Sequence, residues 1–91
     1  MKITQKEIIQ WKDEGYVVIN NVVNNEIILN AKNHIENLYN QGELNIKDFG
    51  SEGKLEFPSN TIFDKISLDE NIISIVRQLL NTDEILLMQS D

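Results

Sequence analysis

A helix that must stop, followed at once by a run that cannot be helix, is the strongest constraint this chain places on its own fold. Thr4-Gln5-Lys6-Glu7 matches a capping box, in which the Thr4 hydroxyl and the Glu7 carboxylate satisfy the orphan amides of a helix start. The pattern predicts a helix from Thr4 to Glu14, with Ile8 and Trp11 on the buried stripe and Ile9 and the Lys12 stem beside them. Gly15 stands where a left-handed C-cap belongs. Tyr16-Val17-Val18-Ile19 then reads as a short buried strand, because β-branched and aromatic residues fit a pleated surface and lose rotamer freedom in a helix. Asn20-Asn21 kinks the chain, and Val22-Val23 continues the apolar path.

Two further helices follow from spacing. Asn24 or Asn25 can cap the first, with Glu26 in its opening turn suiting the macrodipole. Ile27, Ile28, Ala31, Ile35, Leu38 and Tyr39 recur at helical intervals over 25–41, and Gly42 ends the run. Ser67-Leu68-Asp69-Glu70 reads as a second capping box opening a helix over 68–80. Its expected buried face is Ile72, Ile73, Val76, Leu79 and Leu80, and Asn81 takes the place of a terminal glycine. Residues 43–60, with Gly50, Gly53 and Pro58 and no sustained period, read as a loop, longer than the usual ~4–6 residues. Asp83-Glu84 turns into a last strand, 85–91. There Ile85, Leu87 and Gln89 share one face and Leu86, Met88 and Ser90 the other. Both faces are largely apolar, so this strand needs cover on two sides, and the chain reads as unfinished.

Composition narrows the function. Eight Lys and Arg against fifteen Asp and Glu give a formal charge of −7. A phosphate backbone or an anionic lipid surface requires a basic stripe, so neither nucleic acid nor membrane is an expected partner. There is no cysteine, which removes disulfides, thiolate metal sites and thiol nucleophiles. No signal core or membrane-length apolar window is present, and the expected location is cytoplasmic. Fourteen Ile and twelve Asn fall at helix faces, turns and ends rather than in a tract, which fits an AT-rich coding sequence.

In order along the chain stand Trp11-Lys12-Asp13-Glu14-Gly15-Tyr16-Val17-Val18-Ile19, the helix 25–41 and the loop around Phe57-Pro58. Then come the helix end Leu79-Leu80, the acidic turn Asp83-Glu84 and the terminal Gln89-Ser90. This series resembles the N-terminal third of phytanoyl-CoA dioxygenase-like proteins, which are Fe(II)- and 2-oxoglutarate-dependent oxygenases. The resemblance covers essentially the whole of 1–91 and rests on packing motifs. It implies an α+β chain, a helical layer plus the first strands of a double-stranded β-helix (jelly-roll) fold. The complete enzyme would bind Fe(II) and 2-oxoglutarate and hydroxylate a small-molecule substrate. The resemblance also implies a cofactor-binding role for Gln89, lining the pocket to which its strand leads.

Catalytic and metal-binding residues are not expected in this chain. The family's iron is held by a His-x-Asp pair and a distant His, a facial triad with open positions. The single histidine, His34, is followed by Ile35-Glu36, a superficial His-x-acid, but it falls in mid-helix. Residues i and i+2 of a helix point about 200° apart and cannot chelate one ion. A structural role for His34 is the expectation. Asp48 to Leu55 has a faint likeness to a calcium loop but lacks its third and twelfth ligands, so a solvated glycine-containing loop is preferred. Arg77 reads as a snorkelling surface residue, and Trp11 with Tyr16 as a core-forming pair rather than a stacking site. The carboxylate pairs Asp13-Glu14, Asp69-Glu70 and Asp83-Glu84 read as helix and turn ends. The alternative from another class is a small acidic α+β interaction module without enzymatic activity, its strand 85–90 completed by strand addition from a partner.

Overall fold

The computed structural model describes residues 1–44 and 54–88. Four helices follow one another: α1 (Gln5–Glu14), α2 (Asn25–Asn40), α3 (Ile62–Ser67) and α4 (Glu70–Leu80). They pack as two pairs, α1 on α4 and α2 on α3.

Helix ends follow local chemistry closely. The Thr4 amide donates to the Glu7 carboxylate at 2.8 Å, and the Glu7 amide donates back to Thr4 Oγ1 at 3.1 Å. Gly15 closes α1 at φ 80°, in the left-handed region that a side chain disfavours. Asn24 is the cap of α2, accepting from the Glu26 amide at 2.7 Å. Asn81 closes α4 at φ 52°, one of the few non-glycine residues for which that conformation is accessible.

Two helix features depart from the sequence pattern. The pattern assigns no element to residues 61–66, yet α3 forms there. Thr61 caps it and Phe63 and Ile66 lie on it. A helix of six residues is too short to show a period, so its only legible signal is the Ser-Asn-Thr cluster before it. Consequently Ser67 does not open α4 but ends α3. The true cap of α4 is Asp69, whose Oδ1 accepts from the amides of Asn71 (2.9 Å) and Ile72 (3.0 Å).

The expectation of an α+β chain carrying the first strands of a jelly roll is overturned. No strand is present among the described residues. Tyr16 to Ile19 and residues 85–88 are non-helical, as their composition demands, but neither run pairs with a neighbour. β-branched side chains favour extended dihedrals; a strand also requires a second backbone to take its amides and carbonyls, and the described residues offer none. Exposure follows. Val18 is 72% exposed, Leu86 91% and Met88 94%.

Among the described residues the buried apolar ones are Ile3, Ala31 and Ile75. Of these only Ala31 was expected. On α4 the buried position is Ile75, with Ile72, Ile73, Val76 and Leu79 half-buried and the expected Leu80 exposed. On α2 the buried side runs through Ile27, Ala31, His34 and Leu38. The expected Ile28, Ile35 and Tyr39 are exposed. α3 packs on α2 but does not close over Ile28 and Ile35, which stay on the open side of the groove between the two helices. Tyr16, expected in the core with Trp11, is exposed, while Trp11 is half-buried. The accessible surface of 7243 Å² is about a third above the ~5,400 Å² that size scaling gives for a folded monomer of this mass.

Polar side chains do much of the long-range joining. Asn71, Ser74 and Gln78 recur at i, i+3 and i+7, one line along α4. Gln78 accepts from the Ile3 amide (3.0 Å) and donates to the Met1 carbonyl (2.8 Å). The Ser74 hydroxyl donates to the same carbonyl at 2.9 Å. Asn71 Nδ2 donates to the Val22 carbonyl at 2.9 Å. One helix therefore holds the segment before α1 and the segment after it.

Candidate functional site

Gln89, the residue marked for a cofactor pocket, lies outside the described residues, as does most of the loop from Asp48 to Leu55. His34 is half-buried on α2 with its ring against Phe63 of α3, centroids 5.5 Å apart and planes tilted by 53°. This is a tilted ring contact within the usual distance of aromatic packing. Glu36 approaches Lys32 at 4.0 Å, an exposed i, i+4 pair one turn along the helix. The histidine and the carboxylate are thus engaged separately. Among the described residues no group of three or more His, Cys, Asp and Glu side chains could hold a metal ion. An iron site of two imidazoles and a carboxylate does not fit a chain with one histidine. No step through iron or 2-oxoglutarate can be assigned to these residues.

The most ordered polar cluster surrounds Asp64. Its Oδ1 accepts from the Ser59 amide at 2.7 Å and from the Ser59 hydroxyl at 2.8 Å, and its Oδ2 accepts from the Asn60 amide at 2.8 Å. Ser59 Oγ lies 2.7 Å from Thr61 Oγ1, which caps α3 by accepting from the Phe63 amide. Asn60 reaches φ 58° to place both amides on one carboxylate. The backbone bond from Ser59 is the main reason Asp64 titrates below the usual aspartate range. Partial desolvation opposes it, and the Ser59 hydroxyl and the Asn60 amide reinforce it. Every oxygen is spent on the turn, so the arrangement fixes the entry to α3 and leaves no free base.

Two clefts flank this helix. One, about 540 Å³, opens between α2 and the α3–α4 junction and is lined by Ile27, Asp64, Lys65, Leu68, Asp69, Glu70 and Asn71. Two of its carboxylates are already engaged, Asp64 by the Ser59–Asn60 turn before α3 and Asp69 as the cap of α4. The other, about 460 Å³, is an almost wholly apolar groove between α2 and α3. Ile28, Ala31, Ile35, Phe63 and Ile66 form its walls. Arg77, expected at the surface, is exposed and borders a shallow depression with Gln78, Asn81, Thr82 and Asp83. No helix among the described residues is long and apolar enough to cross a membrane.

No protein-family model matches the chain, and no curated protein or solved structure matches it. The geometry therefore stands by itself. Among the described residues it offers surfaces and helix caps, and the feature that most departs from an ordinary monomer is the extent of uncovered apolar side chain.

Proposed function

We propose that this chain is a non-catalytic helical layer of an Fe(II)- and 2-oxoglutarate-dependent oxygenase of the phytanoyl-CoA dioxygenase kind. In this reading its apolar faces pack against the body of the enzyme, and the iron, 2-oxoglutarate and small-molecule substrate are bound by residues outside 1–91. One observation carries the layer role. Ile28, Leu29, Ile35, Leu80, Leu86, Leu87 and Met88 are all exposed, while only Ile3, Ala31 and Ile75 are buried among the apolar residues described. A monomer of this size seldom leaves so many large apolar side chains wet while burying so few. The oxygenase role is supported by the order of motifs from Trp11-Lys12-Asp13-Glu14-Gly15-Tyr16 to Leu79-Leu80 and Asp83-Glu84.

The test is the reading frame after the Asp91 codon. The expected frame encodes a His-x-Asp pair and a later His followed by an Arg. The encoded protein should turn over 2-oxoglutarate, and that turnover should be lost when residues 1–91 are deleted. An in-frame stop, or a continuation without the triad, refutes the oxygenase role. A second reading is then favoured by Leu86 and Met88, whose side chains stand almost wholly in solvent. It is a helical interaction module, with no activity of its own, that binds a protein partner along 85–88.

A further inference from the structure

We propose that α1 is a hinged flap on α4, releasable as a unit while α4 stays folded. The observation that carries this is how α1 is attached. No residue of α1 is buried; Ile8 and Trp11 are its half-buried apolar side chains. The deep contact lies just before the helix, where Ile3 is 5% exposed. That segment is clasped by Gln78, which takes the Ile3 amide and gives to the Met1 carbonyl, with Ser74 on the same carbonyl. Beyond the helix, the Asn71 bond to the Val22 carbonyl ties the return segment to the start of α4. Between helix and tie stand two left-handed residues, Gly15 at φ 80° and Asn21 at φ 57°, with a run between them in which only Val17 and Ile19 are half-buried.

The attachment is therefore two polar clasps, the buried side chain of Ile3 and a shallow apolar contact along α1. Internally α1 is self-sufficient, with both ends capped by its own residues: the Thr4–Glu7 box at one end and the Gly15 amide on the Trp11 carbonyl at the other. A segment with local caps and few buried contacts opens at lower free energy than the body it leans on. Opening costs the clasps and uncovers the face of α4 on which α1 packs. This inference holds whether or not the oxygenase reading does.

Native-state hydrogen exchange on the full chain tests it. The α1 amides are expected to exchange through an opening smaller, in both free energy and denaturant dependence, than the one that releases the central amides of α4. Gln78→Ala removes both of its bonds to this segment and should lower α1 protection by ~30-fold, two hydrogen bonds' worth, while leaving α4 protection unchanged. Asn71→Ala should act in the same direction from the other tie. Equal protection in α1 and α4, an equal fall in both helices in either variant, or no protection in either helix of the unmodified chain would overturn the flap.

Discussion

Replacing Ile75 by alanine, with Leu80→Ala as its partner, separates the α4 face the structure buries from the face the sequence pattern selects. Ile75 is 7% exposed and Leu80 is 55% exposed. Truncating a buried isoleucine to alanine costs ~2–5 kcal/mol, and the loss is smaller where the surroundings can collapse. The residues around Ile75 on α4 are only half-buried, which puts the site at the low end, near ~2.5 kcal/mol. Alanine returns up to ~0.7 kcal/mol of helix propensity at a β-branched position, leaving a net loss of about 2 kcal/mol. Leu80 has roughly half its surface in water already, so its truncation should cost no more than ~1 kcal/mol on a full-burial scale of ~1.5–3. Leucine and alanine differ little in propensity, so no correction applies there. For a chain of this length, whose total stability is on the order of 5 kcal/mol at the lower per-residue figure, 2 kcal/mol is a large fraction. Urea titration followed by Trp11 fluorescence and far-ultraviolet circular dichroism reads both variants. If Leu80→Ala costs as much as Ile75→Ala, the helix presents the other face and the packing described for α4 is wrong.

Two further outcomes can be checked by the same titration. At Gly15 no atom lies within 4 Å of where a Cβ would stand, so Gly15→Ala should cost only the conformational strain of φ 80°, ~1–2 kcal/mol; a neutral substitution would show that the turn relaxes freely. Asp64 has a folded pKa below its unfolded value. Its contribution is therefore fully present above the ordinary aspartate range and is lost as pH falls through the lower folded value. Asp64→Asn should be less stable than the parent at neutral pH, with the difference shrinking on acidification. A difference independent of pH down to the acid transition would show that the Ser59 and Asn60 bonds do not depend on the charge.

What the sequence made legible was local. The Thr4–Glu7 box, the Gly15 stop, the Asn24 cap and the Asn81 terminus are each settled within four or five residues, and each stands in the structure as its side-chain chemistry requires. What stayed hidden depends on neighbours that a linear pattern does not name. Ile28 and Ile75 are the same residue type on well-formed helices, yet one is exposed and the other buried, and α3 packs on α2 without closing over Ile28. A six-residue helix has no period to read, so Ser67 looked like a cap when Asp69 was one. Tyr16 to Ile19 and residues 85–88 show the same limit for strands: composition selects an extended chain, but pairing is a property of two segments. The candidate site was less legible still. His34 falls within α2, as the helical spacing predicts, with Glu36 on the same helix paired to Lys32. The contact of His34 with Phe63, 29 positions away, left no trace in the pattern.

The clasp on α4 has a consequence for how this protein can vary. Gln78 and Ser74 grip main-chain atoms, so the clasp is blind to which side chains stand at positions 1 and 2. Those positions can drift, and since the Met1 carbonyl rather than its amino group is the group engaged, residues can be added ahead of it without undoing the grip. Position 3 has no such freedom, because a proline there has no N–H to give. A chain anchored in this way carries a front end whose spelling is open but whose backbone is fixed, with the rule written some 75 residues downstream.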